Sequence, residues 1–221
     1  MRLTFDMVKQ DERVRTFIEK ADASLLALGY TEHSFTHVMR TAECAARILR
    51  ETGHSEREAE LAAIAGYLHD IGNVINRDDH EQSGAIMAYM YLTGLGADAG
   101  ETATIISAIG NHDEGTAFPV NDVAAALILA DKTDVRYTRV RNKDTVTFDI
   151  HDRVNYAVKK SEVLLDSKAM RIDLHLTVDS EVSSISDYFE IFLGRMRLCR
   201  RAAERLKLMF GFYINGQSMM C

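Results

Sequence analysis

The sequence is short of the residues that build loops and staples. Its 221 residues include one proline and three cysteines, with no low-complexity stretch. A single proline argues against a loop-rich all-β design and leaves a mainly helical chain as the expectation. Cys44, Cys199 and Cys221 form no paired framework and no CxxC element, so they read as reduced thiols, with Cys44 placed among alanines as a small core residue. No apolar run approaches a membrane span, and the N-terminal MRLTFDMVKQ turns charged too soon for a signal peptide. The expectation is a cytoplasmic protein without a membrane partner. Excess positive charge is missing as well. A formal net charge of −7 argues against a surface for duplex nucleic acid while allowing a local basic pocket for a small anion. What is present, 47% hydrophobic and 27% charged residues, describes an ordered chain able to bury a sizeable core.

Apolar spacing gives a series of helices. Residues 5–28 carry one or two, ending at Gly29-Tyr30; a second runs from Ser34 to Glu51 with His37 in its first turn; a third covers 56–70 and ends in His69-Asp70, just before Gly72. After a polar turn, Asn73 to Asp79, another helix opens at Asp78 or Asp79 with His80 in its first turn and Gly84 leaving room beside it. Residues 101–111 form an apolar helix in which Ile105, Ala108, Ile109 and His112 share a face, and a helix from Asn121 or Asp122 puts Asp131 on the face of Ala124, Leu127 and Ile128. The tail reads as a helix at 149–160, strands at 162–165 and 171–178, a long helix at about 183–209 and a short strand at 210–214.

His37, His69, Asp70, His80, His112 and Asp131 thus lie at or near helix ends on inward or cleft-facing sides. Four imidazoles and two carboxylates suit iron, manganese, zinc, cobalt or nickel, and six ligands exceed the needs of one tetrahedral ion. Two divalent ions, iron or manganese by preference, bridged by Asp70 would use the whole set. Each residue alone has a plainer reading: His37 or His80 as surface residues at helix starts, His112 as a C-terminal cap, Asp131 as half of a salt bridge with Arg136 or Arg139. His54, His151 and His175 are read as surface residues.

His37 in HVMRTAECAARI, the pair in AAIAGYLHDIGN and Asp131 in AALILADKTD resemble the H…HD…D signature of the HD-domain superfamily of metal-dependent phosphohydrolases, over roughly residues 30–140. His80 in HEQSGA and His112 in IGNHDEG further resemble its binuclear subset. The resemblance implies a helical core, with His37, His69, Asp70 and Asp131 on one ion and Asp70, His80 and His112 on the other. The expected fold class is mainly α, an HD-type helical core at 1–145 with a small C-terminal α+β appendage at 146–221, a β-hairpin plus a long helix packed on the core.

The implied activity is hydrolysis of a small phosphate ester, a nucleotide or dinucleotide, by a hydroxide bridging the ions. Lys132, Arg136, Arg139 and Lys143 recur at helical spacing beside Asp131 and would form a basic stripe along the cleft if the helix continued. Lys132 is expected to act in catalysis and, with Arg136, His33 and Asn111, to bind substrate; Asp113, or its neighbour Glu114, is a candidate proton carrier. Two other functions use the same ligand pattern: a di-iron oxygenase, separable by iron content and oxygen-dependent turnover, and a nucleotide-binding sensor without turnover. The 183–209 helix would permit a homodimer seam, although a core-packing helix has the same pattern.

Overall fold

The computed structural model describes residues 2–141 and 150–220. Its helices are α1 (Phe5–Gln10), α2 (Glu12–Ala27), α3 (Phe35–Glu51), α4 (Glu56–Leu68), α5 (His80–Gly94), α6 (Ala99–Gly110), α7 (Asp122–Lys132), α8 (Ile150–Ala157) and α9 (Ile185–Arg205). Their starts follow from local chemistry. Ser34, Asp98 and Asn121 cap α3, α6 and α7 by accepting from backbone amides, while Ser55 with Glu58 and Ser184 with Asp187 make reciprocal capping boxes for α4 and α9. A short 3-10 turn, Ile71–Val74, occupies the start of the segment expected to be a polar turn. Among the described residues no helix is long and apolar enough to cross a membrane.

The central helix is α7, whose residues 123–132 are all buried. It packs against α3, α4, α6 and α9, so its alanines let neighbours approach on every side. Two close crossings then set the positions of the histidines. A β-carbon at Gly66 would stand 2.8 Å from Ala42 Cα, so only glycine lets α4 settle on α3 at this depth. At Gly72 a β-carbon would overlap His80 O and Gly84 N, so the 3-10 turn and the first turn of α5 meet backbone to backbone.

The appendage holds a sheet of β1 (Val158–Asp166), β2 (Arg171–Val178), β3 (Met209–Ile214) and β4 (Gln217–Met220) in that spatial order. β1 and β2 form an antiparallel hairpin, β2 and β3 run parallel with α9 as the crossover, and β3 and β4 form a second hairpin turning at Asn215-Gly216. Ile172, Leu174, Leu176 and Val178 are buried on one face of β2, matching the alternation in the sequence. The expected helix at 149–160 ends at Ala157, and the first strand begins at Val158, earlier than its apolar residues indicate. The apolar side of α9, with Tyr188, Phe192, Met196 and Cys199, is buried, and α9 packs on α7 and β3; this is the core-packing alternative to a dimer seam. Cys44 is half-buried and packs against the edge of the core; Cys199 is a buried free thiol, and Cys221 lies outside the described residues.

Candidate metal centre

Each of the four histidines reaches the centre from a different backbone element with its Nδ1 already committed. His37 Nδ1, on the first turn of α3, lies 2.8 Å from Asp134 Oδ2. His69, capping α4, has Nδ1 2.8 Å from Gly66 O; His112, just past α6, has Nδ1 2.6 Å from Ile109 O; His80, opening α5, has Nδ1 3.1 Å from Arg77 O. An Nδ1 that donates to an oxygen leaves the neutral ring with its lone pair on Nε2. The lone pairs of His37, His69 and His112 then face inward, while His80 Nε2 also lies 3.1 Å from Arg77 Nη1.

They converge on two carboxylates. Asp70 Oδ2 lies 3.0 Å from His69 Nε2 and 3.6 Å from His37 Nε2, while Oδ1 of the same carboxylate lies 3.5 Å from His80 Nε2 and 4.0 Å from His112 Nε2. Asp131 Oδ1 stands 3.3 Å from His37 Nε2 and 3.7 Å from His69 Nε2. Donor atoms of His37, His69 and Asp70 lie within 4.8 Å of one another, as do those of His69, His112 and Asp131 and those of Asp70, His80 and His112. Ligands about 2.1 Å from a shared ion stand roughly 3–4 Å apart, so these spacings fit metal coordination. Three buried atoms, His37 Nε2, His69 Nε2 and Asp70 Oδ2, have no hydrogen-bond partner. Lone pairs packed against carboxylate oxygens repel one another unless a cation lies between them. Divalent metal binding satisfies that requirement with the nitrogen and oxygen donors present. The readings of His37 and His80 as surface residues are overturned, since both are buried.

Without an ion, a proton takes that role. Burial disfavours a charged His69, yet Asp70 and Asp131 outweigh it and raise the imidazole to about 10. Burial alone would raise the Asp70 and Asp131 carboxyls, but His69 beside Asp70 and Lys132 beside Asp131 hold both well below the ordinary carboxylate range. Burial, reinforced by the charges of His69 and Lys132, pushes His112 down to about 3, and burial with Arg77 alongside lowers His80, so these two rings are neutral.

A cavity of about 610 Å³ opens from Asp70, His80, His112 and Asp131 toward solvent. Lys132 lines it, buried, with Nζ 2.7 Å from Asp131 Oδ2 and 3.9 Å from Asp113 Oδ1. Burial lowers the Lys132 amine, but Asp131, Glu114 and Asp113 raise it further, so it stays charged. Asp113 sits between Lys132 and Arg77; they, with His80, overcome burial and lower its carboxyl. His33 also lines the cavity, its Nδ1 2.7 Å from Thr31 O, and burial holds it neutral.

Two expected substrate contacts are corrected. Arg136 clamps Asp134 through Nε at 2.6 Å and Nη2 at 3.0 Å and does not line the cavity, and Asn111 donates its side-chain amide to Ser107 O at the end of α6. The basic stripe fails because α7 stops at Lys132 and a separate 3-10 turn, Tyr137–Arg139, follows; Arg139 still reaches the cavity, while Lys143 lies outside the described residues. Asp131 pairs with Lys132 in place of Arg136 or Arg139. His54 is half-buried, 3.4 Å from Asp122, and His175 stacks on Tyr213, so neither is the plain surface residue expected; the side chain of His151 lies outside those described.

Asp134 lies outside the H…HD…D pattern, and its one sequence signal is that it is the second aspartate of ADKTD, three residues beyond Asp131. Nor does any motif mark Arg77 and the tail residues Asp152, Asn155 and Arg195, which line the cavity.

A family model described as the HD domain matches residues 34–144, half of the chain. An uncharacterized protein of Methanocaldococcus jannaschii is 23% identical over 212 residues, covering 84% of this chain and 81% of its own length.

Proposed function

Because the chain belongs to the HD domain family, in which metal-dependent hydrolysis prevails, we propose that it hydrolyses a small phosphate ester, a nucleotide or dinucleotide being the class that suits its cavity. The observation that supports this best is the position of Asp70, whose two oxygens each face a different pair of imidazole Nε2 atoms. His37, His69, Asp70 and Asp131 would hold one ion, and Asp70, His80 and His112 the other. When bound, such ions supply Lewis acidity toward phosphate oxygens and a water activated near neutral pH.

The chain's own groups complete the chemistry. The Nδ1 hydrogen bonds fix the imidazoles before any ligand arrives, so no reorganisation is needed at the moment of reaction. Lys132 places a buried ammonium at the cavity wall, where it offsets charge on the substrate phosphate. Asp113 stays ionised between Lys132 and Arg77 and offers its carboxylate as a hydrogen-bond acceptor at the cavity wall, and the neutral His33 offers a hydrogen bond beside the cluster. The test is elemental analysis of protein purified without chelator, with phosphate release from a nucleotide panel supplied with manganese or iron. Near two ions per chain with release of phosphate is expected. Two irons with oxygen consumption and no phosphate release would replace this reading with an oxygenase.

A further inference from the structure

We propose that Arg195, from the C-terminal helix, makes a second anion subsite beside Lys132, so that the substrate carries a second phosphate group apart from the one presented to the ion cluster. This rests on reading the cavity as the substrate site. The cavity is much larger than one phosphoryl group requires, and Asp152, Asn155 and Arg195 line it from the appendage, outside the family-matched segment.

The other arginines there are spent. Arg139 donates to Glu32 O and Asp134 O, and Arg77 is engaged with the His80 ring and Asp113. Arg195 is fixed differently. Its Nε donates to Glu114 Oε1 at 2.5 Å, and its guanidinium carbon stands 4.5 Å over the Phe192 ring. One edge and one face are therefore anchored, while the two terminal nitrogens donate to no acceptor among the described residues. Parallel N–H donors on a preorganised guanidinium match two oxygens of one phosphate. The side chain is only 23% exposed, so the pairing is little weakened by solvent. Glu114 keeps the site neutral in the free protein and competes for the same guanidinium, which gives a second way to perturb it.

The experiment compares propylphosphonate with the α,ω-bisphosphonates of three and five carbons, none of which can be hydrolysed as esters. Dissociation constants are taken by calorimetry on metal-loaded protein for wild type, Arg195→Gln, Arg195→Lys and Glu114→Gln. Wild type should prefer the better bisphosphonate by about tenfold or more. Arg195→Gln should bring that ratio to near one, Arg195→Lys should restore part of it, and Glu114→Gln should raise it. A preference that survives Arg195→Gln, or one that Glu114→Gln does not increase, would overturn the subsite. So would equal weakening of both ligand types, the mark of a residue that only ties the 112–120 loop to α9. A protein with the Arg195-dependent preference that releases phosphate from no ester keeps the subsite and loses the hydrolase reading. Hydrolysis without that preference does the reverse.

Discussion

His37 Nδ1 and Asp134 Oδ2 meet at 2.8 Å across 97 residues of sequence, at the inner ends of α3 and of the turn that follows α7. Asp134 also accepts two hydrogen bonds from Arg136, and although burial would raise its carboxyl, His37 and Arg136 hold it below the ordinary range. The charged acceptor both selects the His37 tautomer and strengthens Nε2 as a ligand. Asp134→Asn is expected to weaken the ion shared by His37, His69 and Asp131 by about 10–100-fold while the other ion stays. Titration against a competing chelator reads this directly, and unaltered affinity for both ions would mean that Asp134 serves only the arginine.

Asp70→Ala should remove both ions and all turnover, whereas His80→Ala should leave one ion per chain. Elemental analysis of the two variants beside wild type tests the bridging role; equal metal content in wild type and Asp70→Ala would refute the site assignment.

Ion binding should release a proton. In the ion-free protein His69 is raised from 6.5 to about 10, so at neutral pH its Nε2 carries the proton that an ion must displace. Affinity should therefore rise with pH up to about 10 and level off above it. The stability sign is the opposite. A folded-state value above the unfolded one means that the His69 contribution is complete below pH 6.5 and fades as pH climbs through about 10. Calorimetry of ion binding near pH 7.5 in two buffers of different ionisation enthalpy counts the protons. Near one per chain is expected, and zero would show a neutral His69.

Gly72→Ala inserts a methyl group where His80 O and Gly84 N already sit. Overpacking of this kind costs roughly 1–3 kcal/mol, which for a chain of this size lowers the melting temperature by about 2–12 °C. Because the crossing carries His80, the variant should also lose the ion at His80 and His112. A stability loss with full metal content would separate the crossing from the site.

Lys132→Gln should raise KM for phosphate substrates and leave both ions in place, since its ammonium lies beside Asp131 without being a ligand. An unchanged KM would reduce Lys132 to the counterion of Asp131.

Part of the cluster was legible because its residues stand at helix boundaries that the sequence marks, Ser34 before His37, Asp79 before His80 and Gly72 after His69-Asp70. Periodicity placed Asp131 on an apolar face, and the structure puts it beside two imidazoles. The same periodicity misled beyond Lys132, where basic residues at helical spacing continue after the helix has ended at Thr133. Propensity alone does not mark that stop; Asp134 and Arg139 drawing the chain back toward α3 and Glu32 do, and those are tertiary contacts. β4 had a local signal, Asn215-Gly216 between two short runs, whereas the parallel pairing of β2 with β3 depends on where α9 docks. Arg195 was invisible for the same reason: nothing near it in sequence indicates that its helix faces a cavity built by residues 28–139.

The burial of α7 on every side also bears on exchange with solvent. Asp131 sits at the end of a continuously buried segment, between helices that must separate before its amides can open. Deuterium should enter that segment only through global unfolding, so the ligand at its end would be held for as long as the fold itself persists. Ion loss would then proceed by dissociation toward the cavity rather than by local melting of the wall behind it.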